Sequence, residues 1–446
     1  MSLLAYQQMK PSGIEYVDEI PHDWSLKRLG DLVAFAQGKA HEPYIDDDGD
    51  YICVNSRFVS TSGKTIKTCS VNLTPASLND ILMVMSDLPN GRALARAYYV
   101  DDHGKYAVNQ RVCRITAEKA HSRFLFYLLD RHPGLMQNDD GVHQTHLSNA
   151  DFQKLKLYLP SVSEQTQIAR FLDHETARID ALIKEQHRLI ELLKEKRQAM
   201  ISHAVTKGLD PMLPMKDSGV EWLGEVPAHW EAWKLTHAFG GVGSGTTPPS
   251  TEHGWYEDGT IPWITTSELR ESVITATKKS VTVEALRKFS ALQIHPSGSL
   301  AIAMYGATIG RLGMLGISAT TNQACCVLSS PRFLTPKFTF YWLNGFREII
   351  VSLYATGGGQ PNISQDTVAN LKVPAPDIEE QRVISDFLDK KTIEHDSLVK
   401  EAERVVVFLQ ERRSALISAA VTGKIDVRGW QPPARVPSPE LAKEAV

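Results

Sequence analysis

Residues Glu164–Thr206 read EQTQIARFLDHETARIDALIKEQHRLIELLKEKRQAMISHAVT, and no glycine or proline interrupts them. Apolar side chains fall at Ile168, Phe171, Leu172, Ile179, Leu182, Ile183, Leu189, Ile190, Leu193, Met200, Ile201 and Ala204, the three-and-four spacing of one helix face. A helix of this length runs to about 60 Å at ~1.5 Å per residue, longer than a compact domain is wide. The opposite face, with Glu185, Arg188, Glu191 and Glu195, is polar, so the stripe needs a partner.

That partner is in the same chain. Shifted by 216 positions, Glu380–Thr422 reads EQRVISDFLDKKTIEHDSLVKEAERVVVFLQERRSALISAAVT. Gln165 meets Gln381, Phe171-Leu172-Asp173 meets Phe387-Leu388-Asp389, Asp180 meets Asp396, and Arg197 meets Arg413. The apolar face keeps its register except where Ile179 meets His395. The chain is a tandem duplication, and two such helices most simply pack on each other, antiparallel if a domain sits at the end of each.

A second repeat signal precedes each block. Ser12-Gly13-Ile14-Glu15-Tyr16 with Ile20-Pro21-His22-Asp23-Trp24 is echoed, 206 residues on, by Ser218-Gly219-Val220-Glu221-Trp222 with Val226-Pro227-Ala228-His229-Trp230. The second block is therefore ten residues longer, with its insertions in the interior and its ends alike. A common frame carrying two different interiors has this pattern.

Within the first block, β-like runs are expected at Tyr51–Val54, Ile81–Met85, Ala97–Val100 and Arg111–Ile115, and a helix at Ser122–Leu129. The second block repeats the order with Ile261–Thr265, Ser299–Met304, Cys325–Leu328 and a helical Phe338–Leu343. In each, a Gly-Arg pair (Gly91-Arg92, Gly310-Arg311) precedes an Asn-Gln pair (Asn109-Gln110, Asn322-Gln323). A glycine-containing loop follows, Gly141–Ser148 or Gly357–Ser364, and Pro160 or Pro376 leads into the long helix. Lys207–Met215 reads as a linker, and Val427–Val446, with four prolines, as an extended, loosely attached tail. The expected division is an N-terminal segment 1–20, blocks 21–159 and 228–375, helices 160–208 and 376–424, a linker 209–227 and a tail 425–446.

Composition bounds the function. At 446 residues, 42% hydrophobic and 22% charged, the chain suits a multidomain globular protein. No signal peptide or membrane span is legible, which gives the expectation of a cytoplasmic protein. The five cysteines include no C-x-x-C pair, so neither zinc nor a disulfide framework is indicated. The net charge is −4, and the blocks hold 16 Lys+Arg against 16 Asp+Glu and 11 against 9. Neither is a polycation, so a DNA grip would need a shaped surface or partner chains.

Catalytic signatures fail on inspection. Gly63-Lys64-Thr65 lacks the earlier glycine of a phosphate loop, since Phe58 stands there. Gly241–Thr246 does not open a βαβ unit, and Asp46–Asp50 has its glycine two places early for a calcium loop. His143 and His146 face Gly359 and Asn362 in the second copy, which excludes a duplicated metal site. Gln431-Pro432-Pro433-Ala434 lacks the aromatic with which an amino-methyltransferase stacks its base.

Side chains able to meet DNA remain. Arg57, Lys64, Arg92, Arg96, Lys105, Arg111, Lys278, Lys279 and Arg311 are candidate phosphate or base contacts, and Gln144, Gln323 and Gln360 candidate base readers. For the Asn-Gln pairs a plainer role, holding turns by side-chain to backbone hydrogen bonds, is favoured because both blocks share them. For helix packing or partner docking the candidates are Phe171, Leu172, Ile183, Leu193, Ile201, Phe387, Leu388, Val399, Leu409 and Ile417.

Taken together, the Pro-x-x-Trp segment, the Gly-Arg and Asn-Gln steps, the Gln-x-x-Leu/Ile-Ser loop and the doubled Pro-x-x-x-Glu-Gln…Phe-Leu-Asp…Ala-Val-Thr resemble the specificity subunit of type I restriction–modification enzymes. Lys207, where the second copy has Gly423, and the proline-rich tail depart from the pattern. The resemblance implies an α+β fold: two mixed α/β target-recognition domains separated by two long antiparallel, coiled-coil-like helices with pseudo-two-fold symmetry. It implies double-stranded DNA as partner, read as a split asymmetric site, with the helices as a ruler between half-sites about one turn (~34–36 Å) apart. It also implies two methyltransferase subunits docked on the helices and ATP-dependent restriction subunits. S-adenosylmethionine, ATP and Mg would sit on those partners, with no cofactor and no catalytic residue on this chain. Two other readings stand beside it: a DNA-recognising methyltransferase or nuclease with an unrecognised site, and a coiled-coil scaffold.

Overall fold

The apolar stripe forms one continuous helix, Val162–Lys207, and its repeat forms another, Ile378–Val421. These come from a computed structural model that describes residues 4–86, 93–137, 145–357 and 361–433. Each helix starts where its sequence supplies a cap: the Ser161 hydroxyl accepts from the Glu164 amide at 3.3 Å, and the Asp377 carboxylate from the Glu380 amide at 2.9 Å. Glutamates in both first turns face the positive end of the helix dipole. Each run stops at a glycine in the left-handed region, Gly208 at φ 72° and Gly423 at φ 70°. The Lys207 departure is thus a shift of the stop signal by one residue.

The chain forms two compact units, Met1–Gln186 with Val405–Val446, and His187–Arg404. The boundary falls inside both long helices, so each unit contains one block and a part of each helix. In the first unit the Arg413 guanidinium reaches Asp180 on the other helix at 2.9 Å, and in the second Arg197 meets Asp396 at 2.9 Å. Within each unit the two helix parts run antiparallel.

Both blocks use the same strand plan. In the first unit one sheet orders its strands Val33–Gln37, Val112–Ala117, Ile81–Val84, Ala97–Tyr99, and a second orders Thr68–Cys69, Tyr51–Val54, Tyr106–Val108, Pro75–Ala76. In the second unit the sheets run Phe239–Ser244, Cys325–Pro331, Leu300–Ala303, Leu312–Leu315, Ser272–Ile274, and Ser280–Val281, Ile261–Ile264, Thr320–Thr321. The extra strand Ser272–Ile274, parallel to Leu312–Leu315, belongs to the longer interior of the second block. Ser25–Arg28 pairs with Lys156–Leu159, and Glu231–Lys234 with Lys372–Ala375, which brings the two ends of each block together beside its helix.

The cores explain why. In the first unit Trp24, Leu29, Phe124 and Phe152 pack with Ile168, Phe171 and Leu172 of the first helix and with Ala420 and Val421 of the second. In the second unit Trp230, Leu235, Phe338 and Trp342 pack with Ile384 and Leu388, and with Ile201, Ala204 and Val205. Each fully buried side chain of this size contributes about 1.5–3 kcal/mol, so the helix stripe cannot leave its block without a large loss.

Two sequence expectations need correction. The segment 209–227, expected as a linker, holds a hairpin of Met215–Asp217 with Glu225–Pro227, because the prolines at 211 and 214 precede the pairing residues. It mirrors the N-terminal hairpin of Met9–Ile14 with Val17–Pro21. The start of the supposedly loose tail is docked: Val427 is fully buried, and Trp430 packs edge-on against Phe171 at 5.3 Å. The Gln167 amide donates to the carbonyls of Val427 and Trp430.

Candidate nucleic-acid interface

Any surface that reads DNA here has to be held still, and the same side chains hold both blocks. In the first unit buried Gln165 accepts from the His121 amide at 2.9 Å and donates to the Pro160 carbonyl at 2.9 Å. Gln381 repeats this, accepting from the Thr335 amide at 2.8 Å and donating to the carbonyls of Phe333 and Pro376 at 2.8 and 2.9 Å. The helix presents a carboxylate eight residues on. Asp173 accepts from the Tyr127 hydroxyl at 2.7 Å and from Arg123 at 2.6 Å. Asp389 accepts from the Tyr341 hydroxyl at 2.6 Å and pairs with Lys337 at 2.5 Å. Burial pushes the Tyr127 phenol up to about 12 and the Tyr341 phenol up as well, so both stay donors at neutral pH.

At the helix starts, Glu164 accepts from Trp24 Nε1 at 3.1 Å and the Tyr6 hydroxyl at 2.6 Å. Glu380 accepts from Trp230 Nε1 at 3.3 Å and pairs with His229 at 2.8 Å. Reading the sequence for function passed over these carboxylates and tyrosines. Their signal was the near-constant repeat shift, 216 for the helix residues and 214 for Arg123/Lys337 and Tyr127/Tyr341.

The Asn-Gln steps divide. Asn109 serves the frame: its Oδ1 accepts from the His41 and Gln110 amides at 3.2 and 2.8 Å, and its Nδ2 donates to Glu42 at 3.0 Å. That donation holds the Glu42 carboxyl below the usual range. The chain crosses so closely here that a Cβ on Gly38 would lie 2.1 Å from the Asn109 carbonyl oxygen, and one on Gly245 1.7 Å from that of Thr321. Asn322 differs, since its buried Oδ1 has no hydrogen-bond partner among the described residues. Gln110 and Gln323 are exposed.

The cations are spread over both blocks. Arg57 sits on the one-turn helix Ser56–Ser60, Lys64 in the turn after it, and both are exposed. Lys105 is exposed with its ammonium 5.8 Å from the Tyr51 ring, and Arg111 is exposed in the turn just before the strand Val112–Ala117. Arg96 is ion-paired to Asp130 at 3.6 Å and less available. Lys278 and Lys279 are exposed before the strand Ser280–Val281. Arg311 is half-buried, and its Nε has no partner among the described residues. Arg92, Gln144 and Gln360 lie outside the described residues.

Of the helix residues named from the sequence, Phe171, Leu172, Ile201 and Leu388 are buried in the cores above, and Leu409 is 8% exposed. These serve packing within the chain and offer no docking surface. Ile183, Leu193, Phe387, Val399 and Ile417 are half-buried. Apolar side chains left in the open include Val162, Leu182, Leu189 and Leu192 on the first helix, and Ile378, Val383, Ile393, Leu398, Val405, Val407 and Phe408 on the second.

Among the described residues no three or more His, Cys, Asp or Glu are gathered to hold a metal ion. Asp46–Asp48 form a turn, with Asp46 accepting from the Asp48 amide at 3.1 Å and Thr68 donating to the Asp46 carbonyl at 2.6 Å. Among the described residues no helix is long and apolar enough to cross a membrane.

Known proteins share this arrangement. A specificity subunit of the type I restriction enzyme MjaVIII from Methanocaldococcus jannaschii is 24% identical over 437 residues, covering 92% of this chain and 94% of its own. The EcoR124I/EcoR124II specificity subunit of Escherichia coli is 24% identical over 324 residues, 70% of this chain and 73% of its own. Among solved structures, a chain from work on complex assembly and conformational transition of the type I R-M system superposes with a TM-score of 0.65 at 16% identity, covering 91% of this chain and 99% of that one. The HsdS subunit of Thermoanaerobacter tengcongensis gives 0.53 at 16% identity, over 91% and 98%. The type I restriction modification DNA specificity domain matches twice, over residues 21–192 and 229–403. Two unlike blocks, each locked by the same glutamine, carboxylate and tyrosine to a repeated helix, are two copies of that domain, and the chain belongs to the type I restriction modification DNA specificity family.

Proposed function

We propose that this chain is the non-catalytic DNA-reading subunit of a type I restriction–modification complex, with each block reading one half of a split, asymmetric site in double-stranded DNA. The observation that carries the reading is the duplication itself: one frame, held by Gln165 or Gln381 and by Asp173 or Asp389, presents two different interiors. Different interiors on one frame suit two different half-sites. The exposed leucines, valines and Phe408 of the long helices support docking of two methyltransferase subunits, since apolar side chains in the open mark interaction surfaces. S-adenosylmethionine belongs to those partners, and ATP and Mg to restriction subunits where present. With 16 cations against 16 anions in the first block, partner chains also supply part of the grip on DNA.

The test is long-read modification sequencing of DNA from cells with and without this gene, the methyltransferase partner being expressed in both. Adenine methylation at one split motif, lost with the gene, is the expected result and delivers both half-sites. An unchanged methylome overturns the proposal. Exchange of residues 21–159 for another such block then alters one half-site only, and a one-turn insertion beside Thr206–Asp210 alters the gap only.

A further inference from the structure

The chain just past one interior strand of the main sheet, Ile81–Val84 or Leu300–Ala303, has the same backbone pattern in both units yet carries different side chains. In the first unit the Met85 amide donates to the Arg111 carbonyl at 2.9 Å, and the Leu147 amide to the Met85 carbonyl at 2.7 Å. In the second the Met304 amide donates to the Ala324 carbonyl at 2.8 Å, and the Ile363 amide to the Met304 carbonyl at 2.9 Å. The next residues outward form a bridge in each case, Ser86 with His146 and Tyr305 with Asn362. Gln110 and Gln323 lie in the turns that enter the neighbouring strand, closed by Val112 to Asn109 and Cys325 to Asn322 hydrogen bonds, each next to the residue whose carbonyl takes the Met85 or Met304 amide.

The backbone is common, and so is the glutamine. Its neighbours are not. In the second unit Tyr305 is 38% exposed, Gln323 and Asn362 are exposed, and Asn362 exchanges backbone hydrogen bonds with Thr356 that hold it in place. Exposed Thr247 donates its hydroxyl to Gln323 Oε1, which orients the amide. In the first unit Gln110 and His146 are exposed, whereas Ser86 is buried. A residue needed for the fold is expected to be the same in both frames and buried. Tyr305 and Asn362 meet neither condition: both are exposed, and their counterparts are Ser86 and His146.

We infer that this strand end reads bases, with Tyr305, Gln323 and Asn362 determining the half-site of the second domain, Thr247 positioning Gln323, and Gln110 and His146 acting in the first domain. Gln and Asn side chains pair with the N6 and N7 edge of adenine in the major groove, and a tyrosine adds an apolar face and a hydroxyl. The shared glutamine supplies a common contact, and its differing neighbours supply the discrimination. The inference rests on the DNA-reading function proposed above.

The test uses the complex of this chain with its methyltransferase partner, competing DNA libraries randomised in one half-site at a time. The double variant Y305S/N362H gives the second strand end the side chains of the first. Expected is a changed base preference, roughly tenfold or more at one or two positions of one half-site, with the other half-site and the gap unchanged. Unchanged preferences, or binding that is still measurable but lowered equally for all sequences, overturn the inference while leaving the proposed function in place. Absence of any split-site preference in the unaltered complex overturns the function itself. Should the double variant fail to bind, T247A removes only the hydroxyl that orients Gln323. It is expected to lower discrimination in the same half-site with overall binding retained, and unaltered discrimination by T247A overturns the inference.

Discussion

Arg413 sets its guanidinium 2.9 Å from the Asp180 carboxylate, and Arg197 stands 2.9 Å from Asp396. Under the 216-residue shift the aspartates are counterparts and so are the arginines, so each ion pair joins one copy of the helix to the other. These pairs are partly solvated and contribute under about 1 kcal/mol each. Their use is register, since a slid or parallel pairing would leave both charges unmatched. Single variants D180R and R413D are expected to lower stability by roughly 1 kcal/mol or less, and the double variant D180R/R413D to regain most of it. A double-mutant cycle on urea midpoints measures this, and zero coupling counts against the pairing.

Gln165 is 2% exposed and satisfies one part-buried amide and one buried carbonyl. Gln165→Leu keeps the bulk and strands both groups, a loss of about 2–4 kcal/mol. Gln381, fully buried and with three such bonds, is expected to lose at least as much on Gln381→Leu. Hydrogen exchange distinguishes the two: faster exchange is expected around 121–129 for the first variant and 335–345 for the second.

Gly423 combines a left-handed backbone with no room, because a Cβ there would lie 2.4 Å from the Pro21 ring. Gly423→Ala is expected to cost about 2 kcal/mol or more, from the φ penalty and the displaced ring. Gly429→Ala, with nothing within 4 Å of its Cβ, is the control and is expected to change stability by under ~0.5 kcal/mol. Thermal melts of the two variants side by side decide it.

His132 is buried, its Nδ1 accepting from the Gly134 amide at 3.1 Å and its ring edge-on to Tyr16 at 5.2 Å. Burial pushes the imidazole down to about 4, so the folded chain holds it neutral while the unfolded chain protonates it near 6.5. The unfolded state therefore binds the extra proton between those values, and the contribution is complete above pH ~6.5 and lost as pH falls toward 4. The loss is on the order of 2–3 kcal/mol. His132→Asn, which keeps an acceptor without that titration, is expected to flatten the decline when urea stability is measured from pH 7 to pH 4.

The long helices were legible because their signal is local: an uninterrupted apolar stripe between Pro160 and Gly208, then again between Pro376 and Gly423. The strands at Tyr51–Val54 and Ile81–Val84 and the helix at Ser122–Leu129 stood out for the same reason. What the sequence hid depends on distant partners. Asn109 looks like Asn322 in the chain, but only Asn109 finds Glu42, 67 positions away. Asp173 reads as one more charge on a polar helix until Tyr127 and Arg123 arrive from the block. Prolines at 432 and 433 suggested a free tail, yet the apolar Val427 and Trp430 just before them find the first helix.

The second unit is one unbroken run of chain, His187–Arg404, whereas the first is assembled from the beginning of the chain and from residues after 404. During synthesis from the amino terminus, the ribosome therefore delivers every residue of the second unit before it has delivered the last pieces of the first. Trp24, Ile168 and Phe171 emerge early and wait, with Ala420, Val421 and Val427 still unmade. A premature stop near the end of the gene leaves the later unit whole and the earlier one open. The half of the molecule that is translated first is the half that is finished last.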